Sequence, residues 1–301
     1  LNSDSGAVLG AVVRADLTVT YGLAKPGHFH HGGPSVGRLE RVDIGIPAKV
    51  VAQMELNGSL LDRDLARLLQ PRDKTAHKGA NGHLLILAGS EGKTGAALLC
   101  GQGALRSGSG LVSFAVPHDL NPIFETAIAE SMSVPLPNSR RFLSIDDYPL
   151  IESAARGKDA LVLGPGIGTE EATAQLTLRL YAEISRPMVV DADALNILAA
   201  HPEVIRKPAG PRIFTPHPGE MARLLGSTIE AVQADRLAAA QWLNQDMAAD
   251  SPPMITVLKG AGTVTAAAGG KWAINCTGNP GMGTGGMGGV LAGISGGLLV
   301  Q

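Results

Sequence analysis

Short apolar runs separated by longer amphipathic stretches recur along most of the chain. Leu84 to Leu87, Leu111 to Val116, Ala160 to Leu163, Met188 to Val190 and Arg212 to Phe214 are runs of the buried-strand type. Between and after them, Ala96 to Arg106, Glu170 to Ile184, Ala192 to Ala199 and Ile229 to Asn244 carry helical spacing. Parallel neighbours need a crossover, and a crossover helix packs on the sheet. The repeated alternation therefore predicts an α/β fold, a mainly parallel sheet covered by helices on both faces. In such sheets a ligand sits at the carboxyl ends of the strands. Met254 to Val257, Thr263 to Ala267 and Trp272 to Ile274 follow one another too closely for crossovers and predict a strand-rich section. A last helix should begin within Gly285 to Gly289.

The first segment has a different pattern. Ala15 to Tyr21 and Arg41 to Ile46 read as strands on either side of a loop from Lys25 to Gly37 that is rich in His, Gly and Pro. Two strands are marginal on their own, so this segment either packs on the rest or is what remains of something larger. Ala48 to Met54 and the polar stretch Glu55 to Ser59 read as a linker, and Asp62 to Leu69 as a short helix opening the main domain.

Composition narrows the function classes. The 301 residues are 45% hydrophobic and 17% charged, with 39 glycines, which describes a globular chain with many tight turns. A formal net charge of -2 makes no electrostatic case for nucleic acid or an anionic membrane, so the expected partner is a small molecule. Cys100 and Cys276 lie far apart with no C-x-x-C spacing, and are expected to be buried structural thiols. No basic segment with an apolar core opens the chain, and Gly285 to Val300 is too short and glycine-rich for a membrane helix; the expected location is cytoplasmic.

Several loops carry candidate chemistry. Asn279 to Gly289 is glycine-dense and leads into the apolar stretch Val290 to Leu299, so its amides and the following helix start could meet phosphate; a flexible linker is the plainer alternative. Gly164-Pro165-Gly166-Ile167-Gly168-Thr169 has the same strand, loop, helix placement, and turn geometry alone explains it equally well. Gly89-Ser90-Glu91-Gly92-Lys93-Thr94 fails the P-loop spacing and keeps only a weaker reading, a loop touching ligand through backbone near Ala96. Thr215-Pro216-His217-Pro218-Gly219-Glu220 and Asp191-Ala192-Asp193 put polar groups at strand ends, where they serve either a ligand or the next helix start. Lys259 to Thr263 is either a hairpin turn or a phosphate contact. The trio His28, His30 and His31 raises a metal site, but no further ligand partner accompanies it.

Taken in order, Lys78-Gly79-x-x-Gly82-His83, Gly89-Ser90, Gly164 to Gly168, Asp191 to Asn196, Thr215 to Glu220, Leu258-Lys259-Gly260 and Gly278 to Met282 resemble the ADP/ATP-dependent NAD(P)H-hydrate dehydratases. The resemblance covers residues 60–301 and implies a ribokinase-like fold. Residues 1–54, through Ala15 to Leu23 and Asp43 to Pro47, resemble the end of the NAD(P)H-hydrate epimerase domain fused ahead of it in bifunctional enzymes. That domain's upstream catalytic part is absent from the sequence, so no epimerase activity is expected, and the dehydratase domain is expected to be truncated at its C-terminus.

The resemblance implies an ADP-dependent (or ATP-dependent) hydro-lyase of metabolite repair, using Mg2+, that returns the S epimer of NADHX or NADPHX to NADH or NADPH. It implies that Ala96, Gly166, Gly168, Asp191 and His217 line the hydrate pocket. It places Lys259, Gly260, Ala261, Gly262, Thr263, Gly285 and Gly288 on the adenine nucleotide. No resident metal is implied, and a homo-oligomer is. One position departs from the pattern: T-G-G-x-G-D carries a catalytic Asp where this chain has Gly289. Loss of a general base costs about 100-fold to 10,000-fold in rate. The alternatives are a ribokinase-like small-molecule kinase and an adenine-nucleotide-binding protein without catalysis.

Overall fold

The computed structural model describes residues 1–30, 33–61, 63–69, 71–245 and 251–301. It divides into two compact units, one of Leu1–Leu69, His217–Gln245 and Thr256–Gly278, the other of Gln70–Pro216, Asp246–Ile255 and Asn279–Gln301.

In the second unit the strands lie in the order Arg212–Phe214, Met188–Val190, Ala160–Leu163, His83–Leu87, Leu111–Pro117, Met132–Leu136, each pair parallel. Thr94–Ser107, Tyr148–Arg156, Glu171–Glu183 and Asp193–Ala199 are helices of this unit. The strands are apolar at successive positions because both faces of the sheet are covered. Leu84, Ile86, Val112, Phe114, Val162 and Val189 form the core with Ala97, Cys100 and Ala104 of the first of those helices. Phe114 and Phe124 meet at 5.2 Å between ring centroids. Each such large side chain contributes about 1.5–3 kcal/mol by leaving water.

The final helix, Met287–Leu299, packs on Thr94–Ser107 through glycine. Gly289, Gly293 and Gly297, one turn apart, face Ala96, Cys100 and Ala104, also one turn apart. A Cβ at Gly293 would fall on the Cys100 carbonyl oxygen, and one at Gly297 would come within 2.8 Å of the Ala104 carbonyl oxygen. The opposite helix contributes Gly103, whose Cβ would lie 2.7 Å from the Val290 carbonyl oxygen. Small residues on both sides let the two backbones approach to a distance that side chains would forbid.

In the first unit, Thr263–Ala267 and Trp272–Asn275 run antiparallel, and Gly58–Leu61 pairs parallel with the latter. Leu17–Tyr21 and Arg38–Val42 pair parallel in a separate small sheet.

The expected strands and helices recur, most with shifted ends; Asp62 to Leu69 is a 3-10 helix, Arg63–Leu68, with Asp62 outside the described residues, and the other exceptions have physical reasons. The second strand of the first segment is Arg38–Val42 rather than Arg41 to Ile46, because its register follows from pairing to Leu17–Tyr21, which hydrophobicity does not encode. The expected linker contains a helix, Ala48–Gln53, and ends in the strand Gly58–Leu61. Ile229 to Asn244 breaks into Ile229–Ala234, Arg236–Gln241 and a 3-10 turn, because Asp235 leaves helical geometry to cap the second piece through Ala238 N–H. Met132–Leu136 was not expected as a strand, since Pro135 interrupts it; it ends the strand order, where a missing N–H is tolerated. Cys100 is buried, but Cys276 is exposed, correcting the expectation that both thiols are interior.

Candidate functional site

The chain enters the second unit's sheet at His83–Leu87, adds Leu111–Pro117 and Met132–Leu136 on one side, then crosses back to place Ala160–Leu163 on the other. The order reverses between His83–Leu87 and Ala160–Leu163, and in open parallel sheets ligands bind outside the carboxyl ends of the strands at such a reversal. The loops that leave those two strands are the glycine loops at Gly89 and Gly164.

These loops are tied to each other. Gly89 N–H donates to the Pro165 carbonyl at 2.8 Å, and the Ser90 hydroxyl donates to the Gly166 carbonyl, also at 2.8 Å. Asp193 Oδ2 accepts the Gly168 N–H at 2.9 Å and the Lys93 ammonium at 3.1 Å. A Cβ at Gly166 would touch the Lys93 Cβ at 3.0 Å and the Ala96 Cβ at 3.1 Å. One at Gly289 would stand 3.0 Å from the Ala96 carbonyl oxygen. Ala96 therefore stands between the Gly166 loop and Gly289, three positions that are far apart in sequence.

Asp191 is buried, 1% exposed, and its Oδ1 accepts the Thr215 hydroxyl at 2.8 Å. A side chain at Gly164 would fall on the Asp191 carbonyl oxygen. Burial first, and the Asp191 charge second, push the Cys100 thiol well above its ordinary range, so it is an inert core group. Between the two aspartates Ala192 has φ 53 and ψ -118, a conformation that costs a non-glycine residue about 1–3 kcal/mol and that clusters at functional sites. Gly285 precedes the cap of the Met287–Leu299 helix, formed by Gly286, and Gly288 lies in its first turn. The free N–H groups of that turn and the positive end of the helix dipole suit an anion.

His217 and Lys259 to Thr263 belong to the first unit. His217 caps the helix Pro218–Leu225: its Nδ1 accepts Gly219 N–H at 3.0 Å and Glu220 N–H at 3.3 Å, while Glu220 Oε2 accepts the His217 N–H at 2.7 Å. With Nδ1 as acceptor, the neutral ring carries its proton on Nε2, which lies 3.4 Å from Glu220 Oε1. His217 is thus placed to donate a hydrogen bond, not to take a proton. Glu220, with its side chain 6% exposed, also lies 3.5 Å from the Lys259 ammonium, so one carboxylate joins His217 to Lys259. The sequence leaves Glu220 open between a ligand and the helix start, and gives Lys93 no role once the P-loop spacing fails; their spatial neighbours are what tie them to Lys259 and to Gly168.

Two further motifs make contacts within the chain. Lys78–Asn81 is a 3-10 turn, Gly82 lies against the Val300 backbone, and His83 Nε2 pairs with the Ser113 hydroxyl at 2.8 Å. In the histidine trio, His28 Nδ1 accepts the Lys25 N–H at 3.2 Å, and His31 lies outside the described residues. No group of three His, Cys, Asp or Glu side chains able to hold a metal occurs among the described residues.

A family model described as NAD(P)H-hydrate dehydratase matches residues 84–301. The chain is 43% identical over 305 residues to the bifunctional NAD(P)H-hydrate repair enzyme Nnr of Moorella thermoacetica, covering 100% of this chain and 56% of that protein. To Nnr of Escherichia coli K12 it is 36% identical over 305 residues, covering 100% and 55%. The chain spans about half the length of the curated relatives it matches. Among solved structures it is similar to the ADP/ATP-dependent NAD(P)H-hydrate dehydratase of Bacillus subtilis co-crystallized with ATP/Mg2+, with TM-score 0.65, 30% identity, and 82% and 83% of the two chains covered. A ribokinase-like superfamily protein of Enterococcus faecalis shares the fold, with TM-score 0.68 at 24% identity and 81% of each chain covered. With a ribokinase-like α/β fold and a family model matching most of its length, the chain belongs to the NAD(P)H-hydrate dehydratase family.

Proposed function

We propose that this chain binds the S epimer of NADHX or NADPHX together with ADP or ATP, and that its dehydratase chemistry is slowed by the glycine at position 289. The observation that carries the reading is the meeting of Ala96, Gly166 and Gly289, assigned from separate motifs, at the strand-order reversal of the parallel sheet. Gly168, fastened through Asp193, and Asp191 complete the hydrate pocket. His217 supplies a donor to the hydrate, and Lys259 to Thr263 with Gly285 and Gly288 hold the nucleotide.

In this reaction the terminal phosphoryl group of the nucleotide would pass to the hydroxyl on the reduced nicotinamide ring, releasing AMP or ADP and the hydroxyl proton, and loss of phosphate with a proton from the neighbouring ring carbon would restore NADH or NADPH. The residues around it would act by position and charge. Amides at the start of Met287–Leu299 stabilise charge on the transferring phosphoryl group, which is where most catalysis of phosphoryl transfer arises. Mg2+ would arrive on the nucleotide phosphates. Asp191 and Asp193 already accept from Thr215, and from Gly168 and Lys93, respectively, and His217 is placed as a donor. None of the three takes over the proton acceptance that an aspartate at position 289 would provide.

Gly289 also favours a second reading, a nucleotide-binding protein without turnover. Residues 1–54 we read as the tail of an epimerase domain and residues 60–301 as the dehydratase domain, in a cytoplasmic homo-oligomer; no described helix is long and apolar enough to cross a membrane. The test is NADPHX consumption with ADP and Mg2+, followed by the return of NADPH absorbance, for the unaltered chain and Gly289→Asp. Activity at least about 100-fold higher in Gly289→Asp supports the reading. Equal activity in both overturns the account of Gly289, and activity in neither overturns the dehydratase assignment.

A further inference from the structure

In the first unit a buried arginine has no acidic partner among the described residues. Arg236, in the helix Arg236–Gln241, is 4% exposed, and no ion pair holds it among the described residues. Its guanidinium is spent instead on backbone: NH2 donates to the carbonyls of Leu258 at 3.1 Å, Lys259 at 3.2 Å and Gly262 at 3.5 Å, while NH1 donates to the Gln233 side chain at 2.8 Å. Its Nε has no hydrogen-bond partner among the described residues. Burying a guanidinium without a counter-ion is costly. The turn does not need it for closure, since the Thr263 hydroxyl already donates to the Gly260 carbonyl at 2.8 Å across it.

The consequence lies on the other side of the same peptide planes. In a trans peptide the C=O and N–H point in opposite directions. Carbonyls of Leu258 and Lys259 drawn towards Arg236 therefore turn the N–H groups of Lys259 and Gly260 away from it. The Lys259 ammonium is separately held 3.5 Å from Glu220 Oε2. The Gly260 amide and the Lys259 ammonium, each set in place by a partner behind it and backed by the Arg236 charge, make an anion-facing turn.

We propose that Arg236 is a positioning residue for nucleotide binding, holding the Leu258 to Gly262 turn so that its amides and Lys259 face the phosphates of an adenine nucleotide. This rests on the reading of Lys259 to Thr263 as a nucleotide contact. Arg236 itself does not touch the nucleotide, so its effect is on affinity through the turn.

Calorimetric titration with ADP and Mg2+ tests it, using the unaltered full chain, Arg236→Lys, Arg236→Met and Lys259→Met, each below its melting temperature. Arg236→Met is expected to raise the Kd for ADP by about tenfold or more, and Arg236→Lys, which can reach fewer carbonyls, by several-fold. Amide exchange at residues 259–263 should quicken in both while that of the Trp272–Asn275 strand stays as it was, a pattern that general loss of stability would not give. If Arg236→Met does not fold, Arg236→Lys alone decides. Unchanged affinity in a folded Arg236 variant, with Lys259→Met weakened, overturns the role of Arg236 and leaves the nucleotide turn standing. Failure of the unaltered chain to bind ADP overturns both.

Discussion

The Ala96 carbonyl oxygen lies 3.0 Å from the point where a Cβ on Gly289 would stand, while the equivalent point on Gly293 lies deep inside van der Waals contact with the Cys100 carbonyl oxygen. The two glycines are one turn apart on one helix, yet a Cβ at the first would be tight and a Cβ at the second would clash. An aspartate at 289 needs a shift of a few tenths of an ångström at the helix start. Gly293→Ala is therefore expected to cost about 1–3 kcal/mol by overpacking, and Gly289→Ala to be close to neutral, because its helix propensity gain offsets the contact. Urea unfolding of the two variants checks this, and equal losses would contradict it.

The Lys93 and Asp193 side chains are 51% and 20% exposed, so their ion pair is worth only about 0–1 kcal/mol to stability. Its value is to fasten Gly168, through Asp193, to the loop at Gly89. Asp193→Asn and Lys93→Met should leave the melting temperature within a few degrees of the parent while weakening hydrate binding. The Lys93→Met effect should shrink as salt rises, since the pair it removes is itself screened. Hydrate affinity measured at low and high ionic strength decides the point.

Arg212 is fully buried and donates to the carbonyls of Tyr181, Ile184, Arg186 and Pro211, closing the end of the Glu171–Glu183 helix. It also lies over the Tyr181 ring, 5.2 Å from its centroid. Burial pushes its pKa down to about 10, which still leaves it charged at neutral pH. Arg212→Met orphans several buried acceptors at once, and a single such group costs about 1–3 kcal/mol. The melting temperature should fall by more than for any of the other variants above.

His83 has its pKa lowered, first by burial and then by the Lys158 charge, with Asp159 opposing. The unfolded chain then takes up this proton at a higher pH than the folded one. Its contribution to stability is full above the ordinary histidine pKa and is lost as pH falls through it. His83→Gln should flatten the part of the stability curve between about pH 5 and pH 7.5. Denaturant melts at both ends of that window measure the effect, and an unaltered slope would rule it out.

The strands Ala160–Leu163 and Met188–Val190 were legible to the residue, because both their faces are buried and every position is apolar; Arg212–Phe214 was legible too, although its first position is a buried arginine. Gly58–Leu61 was not, because it is a half-exposed strand whose partner, Trp272–Asn275, comes some two hundred residues later. The glycine loops were legible as loops, but that Gly166 and Gly289 lie on either side of Ala96 was not, because the contact joins three distant parts of the chain. Arg236 was not singled out at all, since one arginine in a helical pattern reads as a solvated charge.

Local chemistry that repeats at short range was determined by the sequence alone: the alternation of strand and helix, the glycine turns after strands, and the missing carboxylate at 289. Only the tertiary structure decided which groups share a neighbourhood. It set the reversal of strand order that brings the Gly89 and Gly164 loops together. It placed Asp193 under Gly168, joined Lys259 to His217 through Glu220, and buried Arg236 behind the turn it holds. The reason is physical: hydrophobic period and turn chemistry act between near neighbours, whereas a hydrogen bond or ion pair between distant residues exists only once the sheet has closed and its loops have met.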